Sequence, residues 1–192
     1  MNFIFDLGNV LVNYKPFIYL ENLFPDESLV NKLYETIFRS REWLYMDQGL
    51  LTFDEATDIF CAREPKLRSA ILCAMRNVND IFTPIQETVD LLPAIKESGR
   101  GLYYLSNIQV EIRDYLLEKY EFLYLFDGGV FSCDIHMLKP SPGIYRHLME
   151  KYRLNPEDCL FFDDIPDNVE AAEKEGMGGV LFTTAQCVKS YL

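Results

Sequence analysis

The stretch Met1–Val10, MNFIFDLGNV, decides how the rest of the chain is read. Asn2 to Phe5 make a short, nearly continuous apolar run that stops at Asp6, and Gly8 and Asn9 supply turn chemistry before a second apolar run, Val10 to Val12. Such a run reads as a buried strand, and a strand that ends in a carboxylate places that group at the C-terminal edge of its sheet. In an open α/β sheet this edge is where ligands bind. Taken alone, an Asp there more often only organises its own turn by accepting from nearby backbone N–H groups. Three later stretches shift the balance toward a site: YYLSN (Tyr103 to Asn107), the Lys139-Pro140 pair, and CLFFDD (Cys159 to Asp164). Each sets a polar or charged residue at or just beyond the end of an apolar run.

The bulk properties narrow the field. A chain of 192 residues suits one domain, or one core with an insertion, and 49% hydrophobic residues suffice for a sizeable core. The formal net charge of -12 argues against a nucleic-acid partner, because clustered Lys and Arg are absent. A small anionic substrate is compatible with that charge if a local Lys and a metal ion hold it. Five scattered cysteines with no C-x-x-C pair argue against a disulfide framework or zinc site and read as buried thiols in a reducing compartment. With no signal-like N-terminus and no apolar run near membrane-spanning length, the expectation is a cytoplasmic protein with no membrane partner, monomeric or weakly homodimeric.

Helical patterns follow the first strand. Asp26 reads as an N-cap ahead of Leu29, Val30, Leu33 and Ile37, and Thr52 with Glu55 has capping-box spacing. Leu67, Ala70, Ile71, Ala74 and Met75 mark a third helix. With no strand signal between Pro16 and Phe82, residues 16–82 read as an all-helical insertion. Residues 1–15 and 83–192 then form the core. Thr83-Pro84 with Gln86 marks a further helix start, and Pro93 must kink or split that helix. Strands at Leu102–Leu105, Gly129–Phe131, Cys159–Phe162 and Gly179–Phe182 alternate with helices at Val110–Tyr120, from Ser141-Pro142 to about Tyr152, and at Asp167–Glu175. The alternation predicts right-handed βαβ units, hence a three-layer, Rossmann-like α/β core with a parallel five-stranded sheet.

The order D-L-G-N-V, S-N after a strand, K-P before a helix, and F-F-D-D followed by Asp167-Asn168 resembles the haloacid dehalogenase (HAD) superfamily. Within it the chain looks like the branch whose helical cap follows the first motif, and the D-L-G-N-V start resembles a subgroup that includes sugar-1-phosphate phosphatases. The resemblance implies that Asp6 is the nucleophile, that Ser106 hydrogen-bonds the transferring group with Asn107 beside it at the substrate, and that Lys139 balances charge. It implies a Mg²⁺ ion held by Asp6, the Gly8 backbone carbonyl and Asp164, with Asp163 a further ligand or a supporting partner and Asn9 and Asn168 supporting the loops. The electrostatics agree: Asp6, Asp163 and Asp164 at neighbouring strand ends repel one another unless a cation sits among them, and hard oxygen ligands favour Mg²⁺.

Where the family's phosphatases carry a second Asp two positions after the nucleophile, this chain has Gly8. That Asp is the family's acid for the leaving alcohol and base for the attacking water. Three readings follow. The first, preferred, is a Mg²⁺-dependent phosphatase for a small phosphorylated metabolite such as a hexose 1-phosphate, working through an aspartyl-phosphate. Its leaving group needs little protonation, or its acid comes from the cap or from water. The second is a 2-haloacid dehalogenase, which needs no acid but also no metal. The third is a non-catalytic binding protein. Trp43 and the aromatic residues of the insertion are expected in the cap's core, Glu42 and Asp47 in solvent, and His136 and His147 carry no assigned role.

Overall fold

The computed structural model describes residues 1–192. Its centre is a sheet of five parallel strands in the order β3-β2-β1-β4-β5, formed by Asn2–Phe5 (β1), Gly101–Ser106 (β2), Gly128–Phe131 (β3), Cys159–Asp163 (β4) and Gly178–Leu181 (β5). β1 lies in the middle, with Phe5 opposite Tyr104 on one side and Phe162 on the other. The chain winds outward from β1 to β3 and then returns to β4 on the opposite flank. The order therefore reverses between β1 and β4, and a crevice opens above their C-terminal ends.

Strand alternation divides the core into two layers. Phe3, Phe5, Leu102 and Phe162 face one side, while Ile4, Leu105, Val130 and Phe161 face the other. Because helices cover both faces, the strands are apolar at nearly every position, which is why β1 reads as a continuous run. Phe5 and Phe162 stack with centroids 4.9 Å apart. Pro142–Tyr152 (α10) and Pro166–Lys174 (α11) cover the second face through Ile144, Tyr145, Leu148 and Ala172.

Between β1 and β2 the chain is helical: Pro16–Leu23 (α1), Glu27–Ile37 (α2), Arg41–Asp47 (α3), Phe53–Arg63 (α4), Arg68–Arg76 (α5), Gln86–Val89 (α6) and Leu92–Glu97 (α7). Asp26 caps α2 by accepting from the N–H groups of Ser28 and Leu29, and Thr52 with Glu55 closes the capping box of α4. The buried residues of α2, α4 and α5 join the same apolar cluster as Phe3, Phe5 and Phe162. The core of the inserted helices is thus continuous with the apolar layer on the first face of the sheet. The chain's two passages between them lie side by side, with Ile85 N–H donating to Leu11 O and Asn13 N–H to Thr83 O, each at 2.8 Å. After β2 come Val110–Lys119 (α8), the short Ser132–Ile135 (α9) directly behind β3, and Gln186–Lys189 (α12) near the C-terminus.

Several expectations need correction. Thr83 does not cap the next helix: its hydroxyl accepts from Asn13 Nδ2, and α6 begins at Gln86 with no side-chain cap. The helix carrying Pro93 is split in two, α6 and α7, as Pro93 predicts. The thiols are not uniformly buried, since Cys73 is exposed and Cys187 half-buried.

Candidate active site

Asp6 ends β1 with its carboxylate at the sheet edge, almost buried. Its Oδ1 accepts from its neighbour Leu7 N–H at 2.7 Å and lies 2.9 Å from Lys139 Nζ. Lys139 comes from the loop between α9 and α10. Its ammonium is buried and bridges two carboxylates, reaching Asp163 Oδ2 at 2.6 Å. Asn107, just past β2, fixes that loop: its Oδ1 accepts from Lys139 N–H at 2.8 Å and its Nδ2 donates to Lys139 O at 3.0 Å. Both ends of this amide thus hold the backbone of one residue. Each end of the amide keeps one further hydrogen-bonding position, and Asn107 also lines the cavity above the cluster.

The two aspartates that end CLFFDD have different surroundings. Asp163 is completely buried and saturated: Ile165 N–H and Asn168 Nδ2 donate to Oδ1, and Lys139 and Asn168 Nδ2 serve Oδ2. Asn168 is held in turn at its carbonyl, which accepts from Tyr145 OH at 2.9 Å. Asp164 is only partly buried and accepts from Asn9 Nδ2 at 3.0 Å. Asn9 adopts a left-handed backbone (φ 53°), a conformation Asn tolerates better than most residues, and its Oδ1 accepts from Tyr14 N–H. It thereby ties the β1 turn to the β4 turn. Carboxylate oxygens of Asp6, Asp163 and Asp164 lie within 4.8 Å of one another. Ser106, at the end of β2, is buried and lines the same cavity.

Lys139 supplies one positive charge against three carboxylates, and the proton affinities reflect the shortfall. Burial pushes the Asp6 carboxyl up to about 6, Lys139 pulls it down and Asp163 adds to the rise. Burial also raises Asp164, with the Asn9 hydrogen bond opposing it. For Lys139 desolvation works against the charged form, but Asp6 and Asp163 outweigh it and hold its pKa above the ordinary lysine value. An excess of buried negative charge with oxygen donors on three sides suits a hard divalent cation. The Gly8 carbonyl oxygen, which accepts no backbone hydrogen bond, adds a neutral donor.

The cavity above this cluster has a volume of about 260 Å³. Trp43, Leu44, Phe82, Ile108 and Ile165 form apolar walls, and Asp6, Ser106, Lys139 and Asp164 lie at its polar end. Two residues expected in solvent are not there. Glu42 is largely covered and paired with Arg63, and Asp47 is half-buried in the cavity wall. Burial, reinforced by Asp6, pushes the Asp47 carboxyl up to about 8. Trp43 does belong to the apolar cluster, as expected, yet also lines the cavity.

A sequence profile of the haloacid dehalogenase-like hydrolases matches residues 1–176. The chain belongs to this family. Among curated relatives, a sesquiterpene phosphatase of Aspergillus oryzae is 27% identical over 180 residues, covering 94% of this chain and 88% of that protein. Flavin mononucleotide hydrolase 1 of Arabidopsis thaliana is 41% identical over 145 residues, covering 74% of this chain and 57% of its own length. A HAD family enzyme of Bacteroides thetaiotaomicron, solved with magnesium and inorganic phosphate, superposes with a TM-score of 0.70. The match covers 92% of this chain and 91% of that one at 20% identity, a likeness of fold. No helix of this HAD hydrolase is long and apolar enough to cross a membrane.

Proposed function

We propose that this HAD hydrolase is a Mg²⁺-dependent phosphatase that removes the phosphoryl group of a small phosphorylated metabolite through an aspartyl-phosphate on Asp6. The observation that carries the reading is the Lys139 ammonium held between Asp6 and Asp163 beside a partly buried Asp164. Such a site presents an anionic nucleophile, a fixed cation and unsaturated oxygen donors to one incoming group. Asp6 Oδ1 is occupied by Leu7 N–H and Lys139, which leaves Oδ2 to attack phosphorus.

The residues fit a Mg²⁺ ion held by Asp6, Asp164 and the Gly8 carbonyl, which would neutralise charge on the phosphoryl oxygens. Saturated by N–H donors, Asp163 positions Lys139 instead of binding metal. Lys139 and the Ser106 hydroxyl bind and orient the phosphoryl oxygens, while Asn107 and Asn168 hold the two loops. Water then attacks the phosphorus of the aspartyl-phosphate and regenerates Asp6. The inserted helices roof the cavity, exclude bulk water and select the body of the substrate. Its apolar walls suit an organic group with an apolar face, and the relatives named for terpene and flavin phosphates are consistent with that class. A hexose 1-phosphate remains the specific candidate suggested by the D-L-G-N-V start.

The test is phosphate release with and without Mg²⁺ from hexose 1-phosphates, flavin mononucleotide, a prenyl monophosphate and p-nitrophenyl phosphate, with Asp6→Asn as the blank. Mg²⁺-dependent release that disappears in Asp6→Asn is expected. Release unchanged in Asp6→Asn, binding without any release, or metal-free halide release from a 2-haloacid would overturn the reading.

A further inference from the structure

Gly8 leaves this active site without an ionisable side chain two residues after Asp6. The cavity nevertheless holds one carboxyl group that neither the nucleophile, the lysine nor the acidic cluster uses. Asp47 closes α3 and lines the same cavity as Asp6, Gly8, Ser106 and Lys139. We propose that Asp47, delivered by the inserted helices, is the general acid for the leaving alcohol and the general base for the hydrolytic water. The proposal rests on the phosphatase reading above.

The position of Asp47 is built from the core side. The last turn of α3 ends in a Schellman closure: Gly49 N–H donates to Met46 O and Leu50 N–H to Tyr45 O, with Gly49 at φ +67°. That closure leaves the carbonyls of Asp47 and Gln48 without helical partners. Both are taken by residues that follow β3. Ser132 Oγ donates to Asp47 O at 2.5 Å, and the His136 Nδ1–H donates to Gln48 O at 2.7 Å. Ser132 Oγ also accepts from Ile108 N–H at 2.9 Å, two residues beyond Ser106. The end of α3 is therefore pinned to the β2 and β3 loops that carry the site, and Asp47 cannot shift without breaking these contacts.

The surroundings favour a protonated Asp47 before reaction. Asp47 is the last residue of its helix, the end at which the helix dipole disfavours negative charge. Asp6 faces it across the cavity, and Tyr14, whose phenol is raised by burial and by Asp47, lies on the neighbouring wall. Charged groups on the elements packed against α3 are engaged elsewhere: Arg63 of α4 pairs with Glu42, and Arg113 of α8 pairs with Asp134 of α9. Lys139, which lines the same cavity, is engaged by Asp6 and Asp163, and no Lys or Arg forms an ion pair with Asp47.

The chemistry balances. As Asp6 Oδ2 bonds to phosphorus and the bond from phosphorus to the leaving oxygen breaks, the Asp47 carboxyl proton passes to that oxygen, giving the alcohol and an Asp47 carboxylate. Water then attacks phosphorus, its proton passes to Asp47, and the Asp6–phosphorus bond breaks to give phosphate. Asp47 ends protonated again.

The test compares wild type, Asp47→Asn and Asp47→Glu on an alkyl phosphate that the wild type hydrolyses and on 2,4-dinitrophenyl phosphate, whose leaving group needs no proton. Asp47→Asn should lower kcat on the alkyl ester by about 10²–10⁴. On the aryl ester it should give a burst of dinitrophenolate equal to the enzyme present, followed by slow turnover, because only the second step still needs a base. Asp47→Glu should recover part of the alkyl activity, and the alkaline limb of the wild-type kcat/KM profile should vanish in Asp47→Asn. Alkyl turnover by Asp47→Asn within a few-fold of wild type, or equal loss of the burst and of alkyl turnover, would overturn the proposal while leaving the phosphatase reading intact. A wild type that releases phosphate from neither ester overturns both.

Discussion

Lys139 Nζ lies 2.6 Å from Asp163 Oδ2 in an ion pair from which water is excluded, and Asp163 has no accepting position left over. This pair fixes the ammonium that also reaches Asp6, so the charge of the site is set by a residue that need not touch substrate. A buried pair of this kind is costly to break from one side, because the remaining charge is left without a partner.

Lys139→Met should therefore destabilise the protein by about 3–5 kcal/mol and abolish phosphate release. Urea unfolding of Lys139→Met and of the double variant Lys139→Met/Asp163→Asn checks the cause. The double variant should recover part of the loss, since it removes the stranded charge. A Lys139→Met variant within about 1 kcal/mol of wild type would contradict a buried, unrelieved Asp163.

Stability of the metal-free protein should fall with rising pH. The Asp6 carboxyl is raised to about 6 and the Asp47 carboxyl to about 8, both above the ordinary aspartate value, so the folded state holds protons that the unfolded state has already released. Their stabilising contributions are complete below the ordinary aspartate range and are lost as pH passes through those raised values. Mg²⁺ competes with the proton at Asp6, and its effect on Tm should be larger at about pH 8 than at about pH 5. Thermal melts at the two pH values with and without Mg²⁺ measure this. An increment that does not grow with pH would contradict metal binding at Asp6.

Gly49→Ala should lower both stability and activity. The backbone there has φ +67°, and an added Cβ would lie 2.4 Å from the Cys133 carbonyl oxygen, so α3 must move off α9. A loss of about 1–3 kcal/mol is expected, with a matching fall in kcat because Asp47 moves with the helix end. Gly8→Ala provides the contrast. Its Cβ would meet only Tyr14 Cβ at 3.7 Å and Asp6 Oδ2 at 4.0 Å, ordinary contacts, so stability should stay within about 1 kcal/mol of wild type. Equal losses in the two variants would contradict a specific packing role for Gly49.

The strands were legible because burial on both faces leaves an apolar run with a polar stop, as at Phe5-Asp6 and Phe162-Asp163. The helices with side-chain caps, at Asp26 and Thr52, were legible for a local reason. Thr83 misled because a threonine ahead of Pro84 has the pattern of a cap, while its hydroxyl is used by Asn13, 70 residues earlier in the chain. An acidic residue in a helix is usually solvated, and Asp47 departs from that expectation. The contrary signal was present: Asp47 lies four residues after the buried Trp43, on the same face of α3. The grip of Asn107 on Lys139 had no local signal, since it joins two loops 32 residues apart.

If Asp6 carries the phosphoryl group, the intermediate can be trapped there. Wild-type protein mixed with Mg²⁺ and 2,4-dinitrophenyl phosphate is quenched in acid, reduced with borohydride, which converts an aspartyl-phosphate to homoserine, and mapped by peptide mass spectrometry. Homoserine at position 6, dependent on substrate and Mg²⁺, is the predicted result. Phosphate release with residue 6 unmodified at every quench time would contradict an aspartyl-phosphate on Asp6.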